Sequence, residues 1–188
     1  MDLDDVLVAR AARGNREAFD ELVTRYHSRM FQLVRILTSD DEDAEDLVQE
    51  TFVRAYRAVP RFRGDSTFRT WLHRIAVNVV RSHVTRRISR RDRFPVIEMS
   101  SHDRAVVHTA SREDVENTVV QRRTIDQALA QLPPDVRLLV TLRDVQGLEY
   151  REIARITGLP IGTVESRIFR GRRRLRPLLE SLRGRLLK

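Results

Sequence analysis

The residues best suited to chemistry lie in the last third of the chain, between Tyr150 and Leu175. Ile153, Ala154 and Ile156 make a short apolar face there, and Gly158 ends that helix by taking the left-handed turn other residues resist. Leu159-Pro160-Ile161 reads as a tight turn, and a second helix starts near Gly162-Thr163. Val164, Ile168 and Leu175 recur at spacings of four and seven, so they pack inward. Glu165, Ser166, Phe169, Arg170 and Arg173 are left facing out. A second helix that presents arginine, serine and glutamate outward is suited to a DNA major groove, where those side chains meet base edges. This is a helix-turn-helix, and DNA binding is the chemistry it implies.

Charge supports a polyanionic partner. The 188 residues carry a formal charge of +8, and the isoelectric point is near 11.0. From Gly162 to the C-terminus nine basic residues stand against two acidic ones. Arginine supplies nearly all of the positive charge, since Lys188 is the only lysine. Its fork matches phosphate and guanine, although the codon bias of a GC-rich genome would also enrich it. The opposite pattern occupies Asp40 to Glu50, with seven acids and no base. The macrodipole favours some acids at a helix start but does not call for seven, so this patch predicts a second, basic protein partner.

Several function classes are excluded or disfavoured. The chain has no cysteine, which removes disulfides, thiolate chemistry and cysteine metal sites. Its five histidines, 27, 73, 83, 102 and 108, show no ligand spacing with carboxylates, so no metal or other cofactor is expected. No serine-histidine-acid set or glycine-rich phosphate loop is present, so no enzymatic activity is expected. No apolar run reaches membrane-spanning length, and Met1-Asp-Leu-Asp-Asp5 is unlike a secretion signal; a cytoplasmic protein that is not itself a membrane protein is expected.

The elements that must position these groups read almost entirely as helix. A short amphipathic segment with Leu3, Val6 and Leu7 stops at Gly14-Asn15. A longer helix places Phe19, Leu22, Val23, Tyr26, Met30, Phe31, Val34 and Leu37 on one face. Thr38-Ser39-Asp40 offers N-caps for the next, whose stripe is Ala44, Leu47, Val48, Thr51, Phe52 and Ala55, with Pro60 at its end. After a loop at 61–66, helix is predicted from Thr67 to about Ser89. Residues 91–113 lack periodicity and read as an extended linker. Helix resumes near Val115, breaks at Pro133-Pro134, and starts again at Pro134-Asp135 to end at Gly147. The expectation is an all-α protein of two helical domains, 1–90 and 114–188, elongated and touching DNA at two places.

Four segments in this order resemble extracytoplasmic-function (group IV) RNA polymerase sigma factors of the sigma-E-like kind. They are Asp43-Ala-Glu-Asp-Leu-Val-Gln-Glu-Thr-Phe52, Phe62 to Asn78, Leu132-Pro-Pro-Asp-Val-Arg137, and Gly162 to Arg170. The resemblance implies a sigma region 2 bundle and a sigma region 4 helix-turn-helix joined by an extended linker. It implies a factor that binds core RNA polymerase and directs promoter-specific initiation by reading the −35 element and melting and reading the −10 element. Implied partners are the polymerase (largest-subunit coiled coil and flap), promoter DNA, and an anti-sigma factor, commonly membrane-anchored, that silences the protein from outside its own chain.

Carried over residue by residue, Asp43, Asp46, Gln49 and Glu50 match the polymerase-binding helix. Asp46, Gln49 and Glu50 share one helical face, suited to arginines on a partner. Arg63, Gly64, Asp65, Ser66, Phe68, Trp71, Arg74, Asn78 and Arg81 match the −10 reader, where a loop clamps an extruded base and cations hold phosphate. General-purpose sigma factors carry two adjacent tryptophans that wedge the duplex; here Trp71 is followed by Leu72, so wedge and core remain equal alternatives. Glu165, Ser166, Arg167, Phe169, Arg170, Arg172 and Arg173 match the −35 reader, with arginines 172–174 expected on phosphates. Glu165 departs from the arginine of the best-matched sigma-E members, and a carboxylate accepts from cytosine but cannot grip guanine. The rivals are a dimeric helix-turn-helix regulator, which would bind a dyad-symmetric site alone, and an adaptor built around the acidic helix.

Overall fold

A computed structural model describes residues 3–93 and 125–186. Helix α1 (Leu3–Ala12) leads to α2 (Arg16–Thr38), which Asn15 caps by accepting from the Ala18 amide at 2.7 Å. Ser39 closes α2 in the left-handed region (φ 59°), and its amide donates to the Arg35 carbonyl. Asp40 then caps α3 (Asp41–Ala58) by accepting from the amides of Glu42 and Asp43, both at 3.0 Å. Acids in the first turn of α3 complement the helix dipole there. A 3-10 turn (Val59–Arg61) carries Pro60, whose missing N–H is harmless at that position.

Helix α4 (Phe68–Arg93) is the hub. From Phe68 to Val80 it is buried nearly all round, with Phe68, Trp71, Leu72, Ala76, Val77, Val79 and Val80 all inside. It packs on α1, α2 and α3 on one side. Three residues beyond the predicted domain boundary it is still helical, because nothing in 88–93 breaks it; the rest of the expected linker, and the helical start near Val115, lie outside the described residues.

The second half begins with helical residues 125–130 (α5), followed by α6 (Pro134–Val140). At Thr141–Val145 the backbone widens to a π turn, closed by the Gln146 amide donating to the Thr141 carbonyl at 2.9 Å. Gly147 (φ 67°) turns the chain into α7 (Tyr150–Thr157), and Gly158 (φ 74°) ends it. Helix α8 (Ile161–Leu186) follows after a short turn, one residue earlier than the sequence predicts. No strand occurs among the described residues.

The expectation of an elongated molecule is corrected. Leu138, Leu139, Leu142, Leu148, Ile153, Ile156, Val164 and Ile168 join the same buried cluster as the α1–α4 core. Helix α7 lies against α4, and the π turn lies against α2. The physical reason is that α4 carries buried polar groups, Thr70 and His73, on the side its own bundle does not cover; their partners come from the second domain.

Gly171 shows how tightly α8 seats on α6. A Cβ there would stand 2.6 Å from Val140 Cγ2 and 2.8 Å from Val136 Cγ1, closer than packed carbons approach. Gly171→Ala should therefore lower unfolding stability by about 1–3 kcal/mol despite its better helix propensity. Thermal denaturation checks this, since an unchanged or raised Tm would mean that α8 yields at no cost.

Candidate polymerase and promoter interfaces

On α3 the apolar stripe Ala44, Leu47, Val48, Thr51, Phe52 and Ala55 is buried. Asp46 and Gln49 are turned to solvent, and Glu50 is half-buried beside them. Two of the four predicted residues are already engaged. Asp43 accepts from Arg87 Nη1 at 3.0 Å and lies 3.3 Å from His83 Nε2. Glu50 accepts from Arg54 one turn on and faces Arg86 at 4.0 Å. Such partly exposed pairs are weak, typically about 0–1 kcal/mol, so they orient the acids without withdrawing them. Asp46 and Gln49 have no polar partner among the described residues, and they are the centre of the face.

The loop before α4 is held by an aromatic cluster. Phe62, Phe68 and Trp71 meet with ring centroids 5.2–6.4 Å apart, and Tyr26 closes on Phe68 at 5.5 Å. Phe68 is 4 % exposed and Trp71 9 %: Phe68 packs in the core, and Trp71, left open between wedge and core, is packed with one edge on the cavity. Wedging a duplex needs an aromatic that stands free, and this one is packed. Above the cluster lies an open cavity of about 560 Å³, bordered by Arg61, Phe62, Arg63, Asp65, Ser66, Thr70, Trp71 and Arg74. Its volume suits one extruded nucleotide, with three arginines for phosphate and Asp65, Ser66 and Thr70 for base edges. Gly64 (φ 76°) forms the bend of the loop rather than the cavity wall. Asn78 and Arg81 are exposed further along α4, in register with Arg74 at four and seven residues.

On α8 two ion pairs pin the flanks. Arg167 donates to Asp135 at 2.8 Å, and Arg172 donates to Asp144 through Nε at 3.1 Å and through Nη2. Arg172 is thus tied to the π turn through Asp144. Val164, Ile168 and Leu175 point inward. Between the flanks stand Glu165, Ser166, Phe169, Arg170 and Arg173. Phe169 is 68 % exposed, the most exposed of the large apolar side chains. Arg170 uses one N–H on the Ser166 carbonyl at 3.3 Å, while Glu165, Phe169 and Arg173 have no partner among the described residues. Arg167, Arg170, Arg173 and Arg174 also border a groove against Leu132, Pro133 and Val136.

Sequence reasoning missed a polar cluster between the domains. Arg69 donates to the Gln146 carbonyl, Thr70 Oγ1–H donates to Glu152 Oε1 at 2.6 Å, and Gln146 Nε2 donates to the Arg29 carbonyl at 3.2 Å. His73, fully buried, donates from Nδ1 to the Arg69 carbonyl at 2.7 Å, and its Nε2 stands 3.3 Å from Gln146 Oε1. Burial pushes His73 below the ordinary histidine range, against these hydrogen bonds. For Glu152, burial raises the carboxyl, but bonds from Thr70 and the Glu149 amide bring it below the usual value overall. A Glu149-x-x-Glu152 spacing at a helix start is the one signal that was available. Among the described residues no cluster of His, Asp and Glu could hold a metal, and no helix is long and apolar enough to cross a membrane.

A four-helix unit with an exposed acidic face and an open cavity beside its loop, followed by a basic helix-turn-helix, fits a promoter-recognition factor. The sigma-70 region 2 family matches residues 22–90, and the sigma-70 region 4 family matches 122–175. The RNA polymerase sigma-H factor of Pseudomonas aeruginosa is 39 % identical over 183 residues, covering 95 % of each chain. The ECF RNA polymerase sigma-E factor of Escherichia coli K12 is 41 % identical over 174 residues, covering 90 % of each. Among solved structures, CnrH in complex with the cytosolic domain of CnrY superposes with a TM-score of 0.70 at 31 % identity, covering 96 % of this chain and 99 % of that one. The chain belongs to the extracytoplasmic-function family of RNA polymerase sigma factors. It directs promoter-specific transcription initiation, with region 2 serving the −10 element and region 4 the −35 element.

Packing places Phe68 inside the core, whereas Arg63 stands at the exposed rim of the cavity. Phe68→Ala should cost about 3–5 kcal/mol of stability, as for other buried aromatics, and Arg63→Ala at the cavity rim should stay within about 0.5 kcal/mol. Urea denaturation of both variants checks this; a Phe68→Ala protein as stable as wild type would return Phe68 to the DNA-reading surface.

Proposed function

We propose that the exposed face of α3 is the dock for core RNA polymerase, with Asp46 and Gln49 at its centre and Asp43 and Glu50 at its flanks. The reading is supported by two unpartnered polar residues on a face whose other side is wholly buried, which suits arginine-rich helix recognition. The −10 element is read in the cavity beneath the 61–66 loop by Arg63, Asp65, Ser66 and Arg74. Asn78 and Arg81 guide the strand along α4, and Gly64 shapes the loop. The −35 element is read by Glu165, Ser166, Phe169, Arg170 and Arg173, with Arg167 and Arg172 positioning the helix through Asp135 and Asp144. The exposed phenyl ring of Phe169 fits a thymine methyl. Residues 1–90 and 114–188 form the two domains, with 91–113 as linker, and the protein acts in the cytoplasm without enzymatic activity of its own.

A silencing partner fits the same picture. CnrH was solved with CnrY, and the sigma factor RpoE of Bartonella quintana, 26 % identical with a TM-score of 0.72 over 86 % of this chain, was solved with the anti-sigma factor NepR. An anti-sigma factor, commonly membrane-anchored in this family, is the expected regulator. With no cysteine in the chain, any redox sensing belongs to that partner.

Two measurements test the assignment. Replacing Asp46, Gln49 and Glu50 by alanine should weaken core binding by about 2–5 kcal/mol in total while circular dichroism stays native; unchanged affinity sinks the dock. Glu165→Arg should shift base preference at one or two −35 positions by roughly 1–3 kcal/mol and strengthen non-specific binding by adding positive charge. Promoter-library selection with purified core polymerase reads both effects, and identical −35 preferences would leave recognition to Ser166, Phe169 and Arg170 alone.

A further inference from the structure

The cavity beside the 61–66 loop carries more positive charge than one nucleotide of a strand can satisfy. Arg61, Arg63 and Arg74 border it, and Arg155 of α7 adds a fourth guanidinium. All four residues are exposed, and none pairs with an acid among the described residues. Arginines that bridge elements elsewhere do have such a partner, as with Arg35 and Asp126 or Arg172 and Asp144. Asp65 is the single carboxylate in the cavity wall, so the four guanidiniums leave a net of +3. Like charges gathered around one opening repel each other and draw a polyanion.

Magnitudes separate the candidate anions. An extruded nucleotide has one phosphate on either side, so at most about two negative charges come near the cavity. A triphosphate concentrates about four in the length of a single nucleotide, which matches the excess in a space of about 560 Å³. Its oxygens accept from guanidinium forks two at a time, a geometry that arginine provides and lysine does not. Phe62 and the edge of Trp71 add an apolar flank on which a base can stack, their rings 5.2 Å apart.

We propose that this cavity binds a polyphosphate chain in the free protein, held among Arg61, Arg63, Arg74 and Arg155, and that this ligand competes with the −10 strand. Nucleoside triphosphates and inorganic polyphosphate share the chemistry the site recognises. The proposal rests on the −10 reading given above and adds to it a second ligand that regulates the same site. Arg155 tells the two ligands apart, because the strand reading makes no use of it.

Calorimetric titration of the full chain with ATP, GTP and inorganic tripolyphosphate, each in metal-free buffer, tests the site. One saturable site is expected, with an affinity that falls as salt is added. Tighter binding of ATP or GTP than of tripolyphosphate supports the site as one for nucleotides, with the base on Phe62 and Trp71; equal binding supports it as one for the inorganic chain. Arg155→Ala should weaken binding roughly tenfold. Arg151→Ala, one turn earlier on α7 and outside the cavity, should change it by less than about twofold, as for an unrelated surface position. Tripolyphosphate should also displace a labelled single-stranded DNA ten-mer from the wild type. Absence of saturable binding, equal losses in the two arginine variants, or a ten-mer that stays bound at saturating tripolyphosphate overturns the site. A protein that binds tripolyphosphate but not the ten-mer would keep the site and remove the −10 reading, whereas the reverse result would keep that reading and overturn the site.

Discussion

Helix α4 sets the constraint on which the rest of the structure depends. Between Phe68 and Val80 most positions are buried, which leaves only a narrow solvent face along Arg74, Asn78 and Arg81. Phe68 and Trp71 anchor its first turn in the aromatic cluster with Phe62 and Tyr26, each such contact being worth about 0.5–1.5 kcal/mol beyond area burial. The loop at 61–66 therefore hangs from a rigid base, and its cavity keeps its shape while its tip stays polar and open. Further along, Arg74, Asn78 and Arg81 inherit their register from the same buried stripe. One helix thus fixes the cavity beside the 61–66 loop, the exposed row beyond it and the surface that receives the second domain.

Division of labour among the arginines follows from what lies beside them. Those with an acid in reach, Arg167 with Asp135 and Arg172 with Asp144, hold α8 against α6 and the π turn. Those without one, such as Arg173, are free to meet phosphate. Glu165 is conspicuous in this setting: a carboxylate with no partner among the described residues weakens attraction to any DNA, which fits the proposed role in selecting among sequences. That is the logic of discrimination by an unfavourable element rather than by an added contact.

Much of this was legible in the residues, for identifiable reasons. Gly158 and the Val164, Ile168, Leu175 stripe give the helix-turn-helix because caps and periodicity are local properties. Asp40 and the stripe from Ala44 to Ala55 give the acidic helix in the same way. The role of Trp71 was not legible, because helical spacing from Ile75 and Asn78 is the same for a core residue and a surface one; only the neighbours Phe62 and Phe68 decide it. Gln146 was invisible, since its reach depends on a π turn that no propensity marks. Linker composition speaks to what tethers the domains and is silent on whether they dock, so the molecule was read as elongated when its core is continuous.

The seam between the domains joins polar contacts to apolar ones. His73 and Thr70 are buried polar groups satisfied from both sides: Thr70 by Thr67 and Glu152, and His73 by the Arg69 carbonyl with Gln146 beside its other nitrogen. The apolar part, where Ile153 and Ile156 join the core of the first domain, is what resists opening. Leu138, Leu139, Leu142, Leu148, Ile153, Ile156, Val164 and Ile168 share one buried cluster with the first domain, so docking rests on apolar burial, and the polar contacts fix its register.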